Sequence, residues 1–170
     1  MSITTKNGDD GCTDTLWGKR LQKNHPIVEC LGTLDELNAF LGDVKTALNG
    51  DSSDGYTMDC INGIQKDLFS LMGVLAGMSV PKGGMGADRI DSLIAELESQ
   101  LPPFTSFAVP GTNPASAKLH IARTVCRRAE RRLIGIDLDE KTKTAVIPYI
   151  NRLSDLLFLL AEKESRAPAG

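Results

Sequence analysis

Hydrophobic residues recur along most of this chain at spacings of three, four and seven, the pattern of helices with one apolar face. In the first such stretch, Ile27, Leu34, Leu41 and Leu48 follow one another at intervals of seven before the pattern ends near Asn49-Gly50. No convincing strand pattern appears anywhere. The periodicity predicts five helices, at 26–49, 58–75, 87–100, 115–134 and 141–164.

Five helices with short connections predict an all-α fold, a five-helix bundle with a ferritin-like up-down core. The length of 170 residues fits a single domain. We expect the bundle to occupy 26–166 and the segment 1–25 to join it. That segment is rich in glycine and polar residues, and it is either an ordered loop or a flexible tail. Pro148 lies either in the first turn of the last helix or at a kink within it.

Composition narrows the range of partners. The net charge of −3 lacks the positive surplus typical of nucleic-acid-binding proteins. The N-terminus is polar, without the features of a secretory signal, and no apolar run approaches the ~20 residues that a bilayer requires. The four cysteines lie far apart and are expected to be free thiols in a reducing compartment. We therefore expect a cytoplasmic protein with neither a nucleic-acid nor a membrane partner.

The predicted fourth helix carries an unusual cluster of positive charge. Five arginines fall inside ten positions, at 123, 127, 128, 131 and 132. A local positive cluster on a mildly acidic chain favours a small anionic ligand, since a guanidinium fork holds two phosphate oxygens at once. Arg123, Arg127 and Glu130 project from one stripe, where Glu130 could orient Arg127. The alternative is a solvated face stabilised by pairs of charges one turn apart.

Polar residues also interrupt the apolar faces of two other predicted helices. Asn38 lies within the apolar arc of the first helix, and Asp35 lies at its edge. Asp35 is either the partner of a fourth-helix arginine or part of a structural hydrogen bond in the core. Asn151 lies between Ile147 and Phe158 on a second apolar surface of the last helix. A helix with two apolar surfaces is central in the fold or part of a subunit interface.

The segment 5–13 has the residue types of a phosphate-binding loop. Its glycines allow close approach of the backbone, Lys6 supplies charge, and the hydroxyls of Thr5 and Thr13 can donate hydrogen bonds. It lacks the Gly-Lys-Ser/Thr sequence of a Walker A loop. The competing interpretation is a set of ordinary glycine–aspartate turns.

Four segments together resemble the propanediol-utilisation type of ATP:cob(I)alamin adenosyltransferase. They are TKNGDDG at 5–11, GTLDELNA at 32–39, RTVCRRAER at 123–131 and YINRLSD at 149–155. They stand in the order of the family, and the resemblance covers nearly the whole chain from residue 4 to about residue 161. The chain departs from the family pattern at 108–113, after Phe107, and at Thr4, where an aromatic residue is frequent.

The resemblance implies a homotrimer with active sites between neighbouring subunits. Asp35 would then pair with Arg123 across the interface, and both would belong to the catalytic set with Arg127 and Phe107. Phe107 would lie below the corrin ring and keep the lower axial ligand off cobalt, with Asp35 and Asn38 also beside the corrinoid. The implied ATP-binding residues are Thr5, Lys6, Asn7, Gly8, Thr13, Lys23, Arg127, Arg128, Glu130, Arg131 and Asn151. In this assignment Arg128 assists through its backbone, and Arg132 is left to solvent.

The reaction that the resemblance implies transfers the 5′-deoxyadenosyl group of ATP to Co(I) of a corrinoid and releases triphosphate. The cobalt is the nucleophile, so no catalytic dyad or triad is expected. Mg²⁺ would accompany ATP. A cob(II)alamin reductase and an adenosylcobalamin-dependent mutase or dehydratase are the implied protein partners.

Two other classes of function remain open at this point. A non-enzymatic carrier or sensor would bind ATP and a corrinoid with the same residues but would release no triphosphate. A structural helical oligomer would use the charged stripe only to hold subunits together, and Mg-ATP would not stabilise it against heat.

Overall fold

The computed structural model describes residues 4–15, 18–48, 55–105 and 107–166. All five predicted helices are present, each bound within two residues of the prediction. The loop predicted at 51–55 lies, apart from Gly55, outside the described residues. In chain order the elements are β1 (Cys12–Asp14), β2 (Arg20–Gln22), α1 (Pro26–Leu48), α2 (Tyr56–Leu75), α3 (Ala87–Gln100), α4 (Pro114–Ile134) and α5 (Glu140–Ser165).

Ion pairs between α1 and α4 define how these two helices run. Glu29, near the start of α1, pairs with Arg132 near the end of α4, at 3.1 Å. Asp43, near the end of α1, pairs with Lys118 near the start of α4. The order of the partners is reversed, so α1 and α4 are antiparallel.

Hydrogen bonds define the direction of α5 in the same way. Thr57 at the start of α2 donates to Glu164 at the end of α5. The Tyr149 hydroxyl, in the first half of α5, donates to Asp67, in the second half of α2, at 3.0 Å. Helices α2 and α5 are therefore antiparallel. Lys45 of α1 reaches Asn62 of α2 at 2.7 Å.

The core lies between these helices. Helix α4 packs against both α1 and α5, α5 also packs against α2 and α3, and α1 packs against α2. The largest fully buried side chains are Tyr149, Leu34, Leu37, Leu41, Ile61, Ile64, Leu68, Leu71, Ile90, Leu97, Leu119 and Leu133. The apolar faces that the sequence periodicity predicted are buried, because every helix contributes to one shared core.

The cysteines are free thiols, as expected. Cys30, Cys60 and Cys126 are buried, and burial raises the pKa of the Cys30 thiol to about 11. Burial raises the pKa of Cys60 and Cys126 as well. A buried thiol that stays protonated is a poor nucleophile and a poor metal ligand, so these three cysteines act as apolar core residues.

The expectation of a fold without strands was wrong. Strands β1 and β2 form an antiparallel hairpin in which Thr13 is paired with Leu21. Each strand has only three residues, too few to show a period of two in the sequence. The fold is therefore mostly helical with a two-stranded sheet. The described part of the N-terminal segment is an ordered hairpin rather than a flexible tail.

Helix α5 has a central position. Pro148 lies inside it, beyond its first turn. Among the described helices it alone is long and apolar enough to cross a membrane by length and composition, and 56% of that window is buried inside the fold. Its contacts with α2, α3 and α4 account for this apolar character, because a helix covered on several sides by protein is apolar on several sides.

Candidate functional site

Helix α4 carries the arginine cluster, and its N-terminal cap and buried apolar side hold the helix in place. Asn113 caps its N-terminus by accepting a hydrogen bond from the Ser116 amide at 2.8 Å, and Pro114 follows at the first helical position. Its apolar side, which includes Ala122, Val125 and Ala129, is buried against the core. The arginines on the remaining surface fall into two groups according to what they contact.

Arg128 and Arg132 are engaged by α1. Arg128 forms an ion pair with Glu36. Arg132 pairs with Glu29 at 3.1 Å, donates to the Glu29 carbonyl at 3.1 Å and also bonds to the Thr33 hydroxyl. The expectation that Arg132 is left to solvent was wrong, because residues a hundred positions away in sequence supply its acceptors. These two arginines hold α4 to α1.

Arg127 and Arg131 are different, since both are exposed. Among the described residues, neither guanidinium forms an ion pair with a carboxylate, and Arg131 Nη1 donates only to the Arg127 carbonyl, at 3.0 Å. Glu130 is half-buried, and no hydrogen bond connects it with Arg127 in the described structure. Two neighbouring guanidinium groups without an acidic partner form a surface that favours an anionic ligand.

Several buried polar atoms beside this surface have no partner. Among the described residues, Arg123 Nε and Asn38 Oδ1 are buried without a hydrogen bond, and so is Arg128 Nε. Asp35 is exposed and makes no ion pair with Arg123 within the described chain. Because buried polar atoms are nearly always satisfied, the face shared by α1 and α4 leaves hydrogen-bonding groups without a partner in the described chain. A ligand or a second subunit would supply the missing partners.

His120 lies one turn before Arg123 and is only 4% exposed. Burial lowers its pKa, the Arg123 charge lowers it further, and Glu162, whose Oε1 lies 3.7 Å from His120 Nε2, opposes the change. An unfolded histidine has a pKa of about 6.5. As the pH falls, His120 is therefore protonated in the unfolded chain at a higher pH than in the folded protein. The stability that neutral His120 contributes is complete above about pH 6.5 and decreases as the pH falls toward the folded pKa.

We predict that wild-type protein loses stability between pH 7.5 and 5.5 and that His120→Gln loses less over the same interval. Glutamine removes the titrating group but retains a polar side chain at the buried position. Urea unfolding at the two pH values measures the difference. An equal loss in both proteins would show that His120 does not carry this pH dependence.

The N-terminal loop 5–13 leads into the hairpin with an unusual backbone. Lys6 has a φ of 59°, a left-handed conformation that is uncommon outside glycine. The Asp9 amide bonds back to the Lys6 carbonyl at 3.2 Å, and the Gly11 amide bonds to the Gly8 carbonyl at 3.3 Å. A Cβ added to Gly8 would lie 3.1 Å from Lys23 Nζ, so the missing side chain lets this ammonium group approach the loop.

Thr5 and Thr13 have distinct positions in this loop. The Thr5 hydroxyl accepts a hydrogen bond from the Asn7 amide at 3.4 Å, and Thr13 is half-buried in β1. Among the described residues, no hydrogen bond or ion pair connects 5–15 with α4. Within the described residues, the loop and the arginines are therefore not joined by a hydrogen bond or an ion pair.

The loop before α4 exposes a large apolar side chain. Phe107 is 100% exposed, whereas Phe104, three residues earlier, is anchored against Phe158 with ring centroids 5.2 Å apart. Asn151 is exposed on α5, where its carbonyl accepts from the Ser154 hydroxyl at 2.9 Å. An anchored loop that carries an uncovered phenylalanine can pack that ring against a flat apolar ligand.

A cavity of about 370 Å³ lies elsewhere, between β1, α1 and α2. Its lining is mainly apolar and includes Leu31, Phe69 and Met78. Thr13 is the single predicted site residue among its lining residues.

The model of one protein family, described as cobalamin adenosyltransferase, matches residues 3–164. The chain belongs to this family. Its sequence is 39% identical to the corrinoid adenosyltransferase PduO of Salmonella typhimurium over 96% of this chain and 50% of that protein. It is 38% identical to the cobalamin adenosyltransferase of Cupriavidus metallidurans over 99% of this chain and 90% of that protein. The chain thus spans about half the length of the PduO relative.

The fold of this cobalamin adenosyltransferase family member matches solved structures. One is a phenylalanine-to-alanine variant of the PduO-type ATP:corrinoid adenosyltransferase from Lactobacillus reuteri, complexed with cobalamin and ATP. Its TM-score is 0.81 at 29% identity, with 96% of this chain and 93% of that chain covered. The match includes nearly the whole chain, so it extends from the bundle to the N-terminal hairpin.

Arg20 contacts the N-terminal loop but is not among the residues predicted for the site. This residue lies in β2 and bridges Asp10 and Asp14. Its signal was absent because the contact depends on the hairpin, and the hairpin was not predicted.

Proposed function

We propose that this chain transfers the 5′-deoxyadenosyl group of ATP to Co(I) of a corrinoid and releases triphosphate. The observation that carries the proposal is the pair of exposed guanidinium groups, Arg127 and Arg131, that have no acidic partner in the described chain. They lie on the helix that bears the most specific motif of the family. A departing triphosphate is a highly charged anion, and preorganised arginines stabilise such a group as it leaves.

In this proposal the ATP site has two parts from different elements. The loop contributes Lys6 and backbone amides, with Lys23 held beside Gly8. Helices α4 and α5 contribute the guanidinium groups and the Asn151 amide. The full proposed set is Thr5, Lys6, Asn7, Gly8, Thr13, Lys23, Arg127, Arg128, Glu130, Arg131 and Asn151.

The chemistry that the corrinoid supplies is the nucleophilic Co(I), which attacks the 5′ carbon of ATP. The residues of this chain bind and orient the triphosphate and exclude water from the reacting carbon. In the described residues no group of three His, Cys, Asp or Glu could hold a metal ion. In this proposal Mg²⁺ accompanies ATP, and its phosphates supply ligands to the ion.

We further propose a homotrimer in which each active site lies between two subunits. Three findings in the described residues support it: no hydrogen bond or ion pair connects the loop with the arginines, Arg123 Nε and Asn38 Oδ1 are buried without partners, and Asp35 is exposed. Asp35 of one subunit would neutralise Arg123 of the next. In this proposal the N-terminal segment 1–25 and the bundle 26–166 form a single domain.

Asp35→Asn is predicted to weaken activity by roughly tenfold, because the neutral amide would leave the partly buried Arg123 without a counter-charge. Glu98→Gln on α3 is the matched control, since it removes one exposed negative charge from a helix that packs against α5. Steady-state kinetics and sedimentation of both variants are the measurements. Equal kinetics in the two variants would contradict the role of Asp35.

The corrinoid would lie against Phe107, with Asp35 and Asn38 beside it. Phe107 is free to move under the ring because it packs against no part of the described chain, while Phe104 anchors the loop. By occupying the place of the lower axial ligand, its ring would make Co(II) easier to reduce. A cob(II)alamin reductase and an adenosylcobalamin-dependent mutase or dehydratase would act before and after this enzyme in the cytoplasm.

Two measurements separate this proposal from its alternatives. Thermal unfolding with and without Mg-ATP should show stabilisation, which a purely structural oligomer would lack. Under anaerobic conditions with excess cob(I)alamin, triphosphate release should continue over many turnovers. Release of no triphosphate, despite stabilisation by Mg-ATP, would identify a carrier and overturn the proposal of an enzyme.

A further inference from the structure

Arg20 connects three parts of the N-terminal loop. Its Nη2 donates to the Asn7 carbonyl at 2.7 Å and pairs with Asp10 Oδ2 at 2.7 Å, and its Nη1 bonds to Asp14 Oδ1 at 3.1 Å. Both ends of its guanidinium are therefore occupied by protein acceptors. It differs in this respect from Arg127 and Arg131.

We propose that Arg20 is a positioning residue that holds the loop 5–13 in the shape that accepts the triphosphate of ATP, without binding the nucleotide itself. This inference rests on the proposed function. The geometry supports it, because the Asn7 carbonyl follows directly on Lys6, whose left-handed backbone needs support from its surroundings. A planar fork can fix three acceptors at once, which an ammonium group cannot do with the same precision of angle.

The charges around Arg20 give it a second task. Asp10 and Asp14 lie in the same short segment as the proposed phosphate-binding residues, and bare carboxylates there would repel a triphosphate. The hydrogen bond from Arg20, with another from the Cys12 amide at 3.1 Å, lowers the pKa of Asp10. Hydrogen bonds to Asp10 and Asp14 raise the pKa of Arg20 further above its already high value, so the pairs stay charged at neutral pH. Arg20 thus directs both carboxylates toward itself.

The kinetic test compares Arg20→Gln with Lys19→Gln, which removes the same charge from the adjacent exposed position. We expect Arg20→Gln to raise the KM for ATP about tenfold while the KM for the corrinoid and kcat at saturating ATP change less than about twofold. Lys19→Gln should change the KM for ATP less than about twofold. An equal effect of the two variants on this KM, or a loss confined to kcat, would overturn the proposal.

A double variant tests whether Arg20 acts through Asp10. If it does, Arg20→Gln should raise the KM for ATP much less in an Asp10→Asn background than in the wild type. Fully additive effects of the two substitutions would overturn the coupling.

Amide hydrogen exchange gives a readout without turnover. In the free protein, amides at 7–12 should exchange faster in Arg20→Gln than in wild type, and inorganic tripolyphosphate should protect them in wild type but not in the variant. Unchanged exchange would overturn the positioning role. Wild-type protection by tripolyphosphate without adenosyl transfer would instead contradict the proposed enzyme and leave the role of Arg20 in loop shape supported.

Discussion

Arg127→Ala is expected to abolish adenosyl transfer, with a fall in kcat/KM of at least about a hundredfold, while the protein remains folded and assembled. The Arg127 guanidinium is exposed and pairs with no carboxylate in the described chain, so its removal breaks no ion pair of the fold. What is lost is the charge that would stabilise the leaving triphosphate. Anaerobic initial rates, together with thermal unfolding and sedimentation, measure both sides of this prediction.

Arg132→Ala is the matched control, because it removes an arginine from the same helix. Arg132 is committed to Glu29 and Thr33, so its loss should lower stability by about 1 kcal/mol and leave the rate largely intact. Near-normal turnover of Arg127→Ala, or an equal loss of rate in both variants, would contradict the assignment of Arg127.

Phe107→Ala is expected to damage the reaction that starts from Co(II) most severely. Covering an exposed phenylalanine with a corrin ring is worth about 1.5–3 kcal/mol, which corresponds to roughly a tenfold to hundredfold change in rate. With chemically prepared Co(I) the displacement of the lower ligand is no longer needed for reduction, so the loss should be smaller. Parallel assays from cob(II)alamin with a reductant and from cob(I)alamin measure the difference.

Val109→Ala is the control for the loop, since Val109 is 83% exposed two residues beyond Phe107. It should affect both reactions little. If Phe107→Ala left the Co(II) reaction intact, the displacement of the lower ligand would not depend on this residue.

The helices could be predicted from sequence because each one buries a continuous apolar face. Leu34 and Leu41 of α1 and Leu119 and Leu133 of α4 are fully or almost fully buried, as their periodicity requires. The hairpin could not be predicted, because backbone pairing between β1 and β2 leaves little trace in three-residue strands. The candidate site rests on residue types, the arginine cluster and the glycine-rich loop, and its role in binding ATP stays a prediction.

The sequence could not predict which arginines form ion pairs within the fold and which have no acidic partner in the described chain. Helical projection placed Arg132 toward solvent, but the packing of α1 against α4 brings Glu29 and Thr33 to it. Arg20 depends in the same way on a contact between strands that the sequence pattern did not reveal. Local periodicity defines which face of a helix is apolar, whereas the partners of charged side chains are decided by long-range packing.

The central claim is that this chain forms a carbon–cobalt bond by transferring the 5′-deoxyadenosyl group of ATP to cobalt, with release of triphosphate. The most direct test is an anaerobic assay in which wild-type protein receives Mg-ATP and chemically reduced cob(I)alamin, with corrinoid spectra and phosphate products followed together. We predict one adenosylcobalamin and one triphosphate for each ATP consumed. Cleavage of ATP to ADP and phosphate, or consumption of ATP without adenosylcobalamin, would contradict the claim.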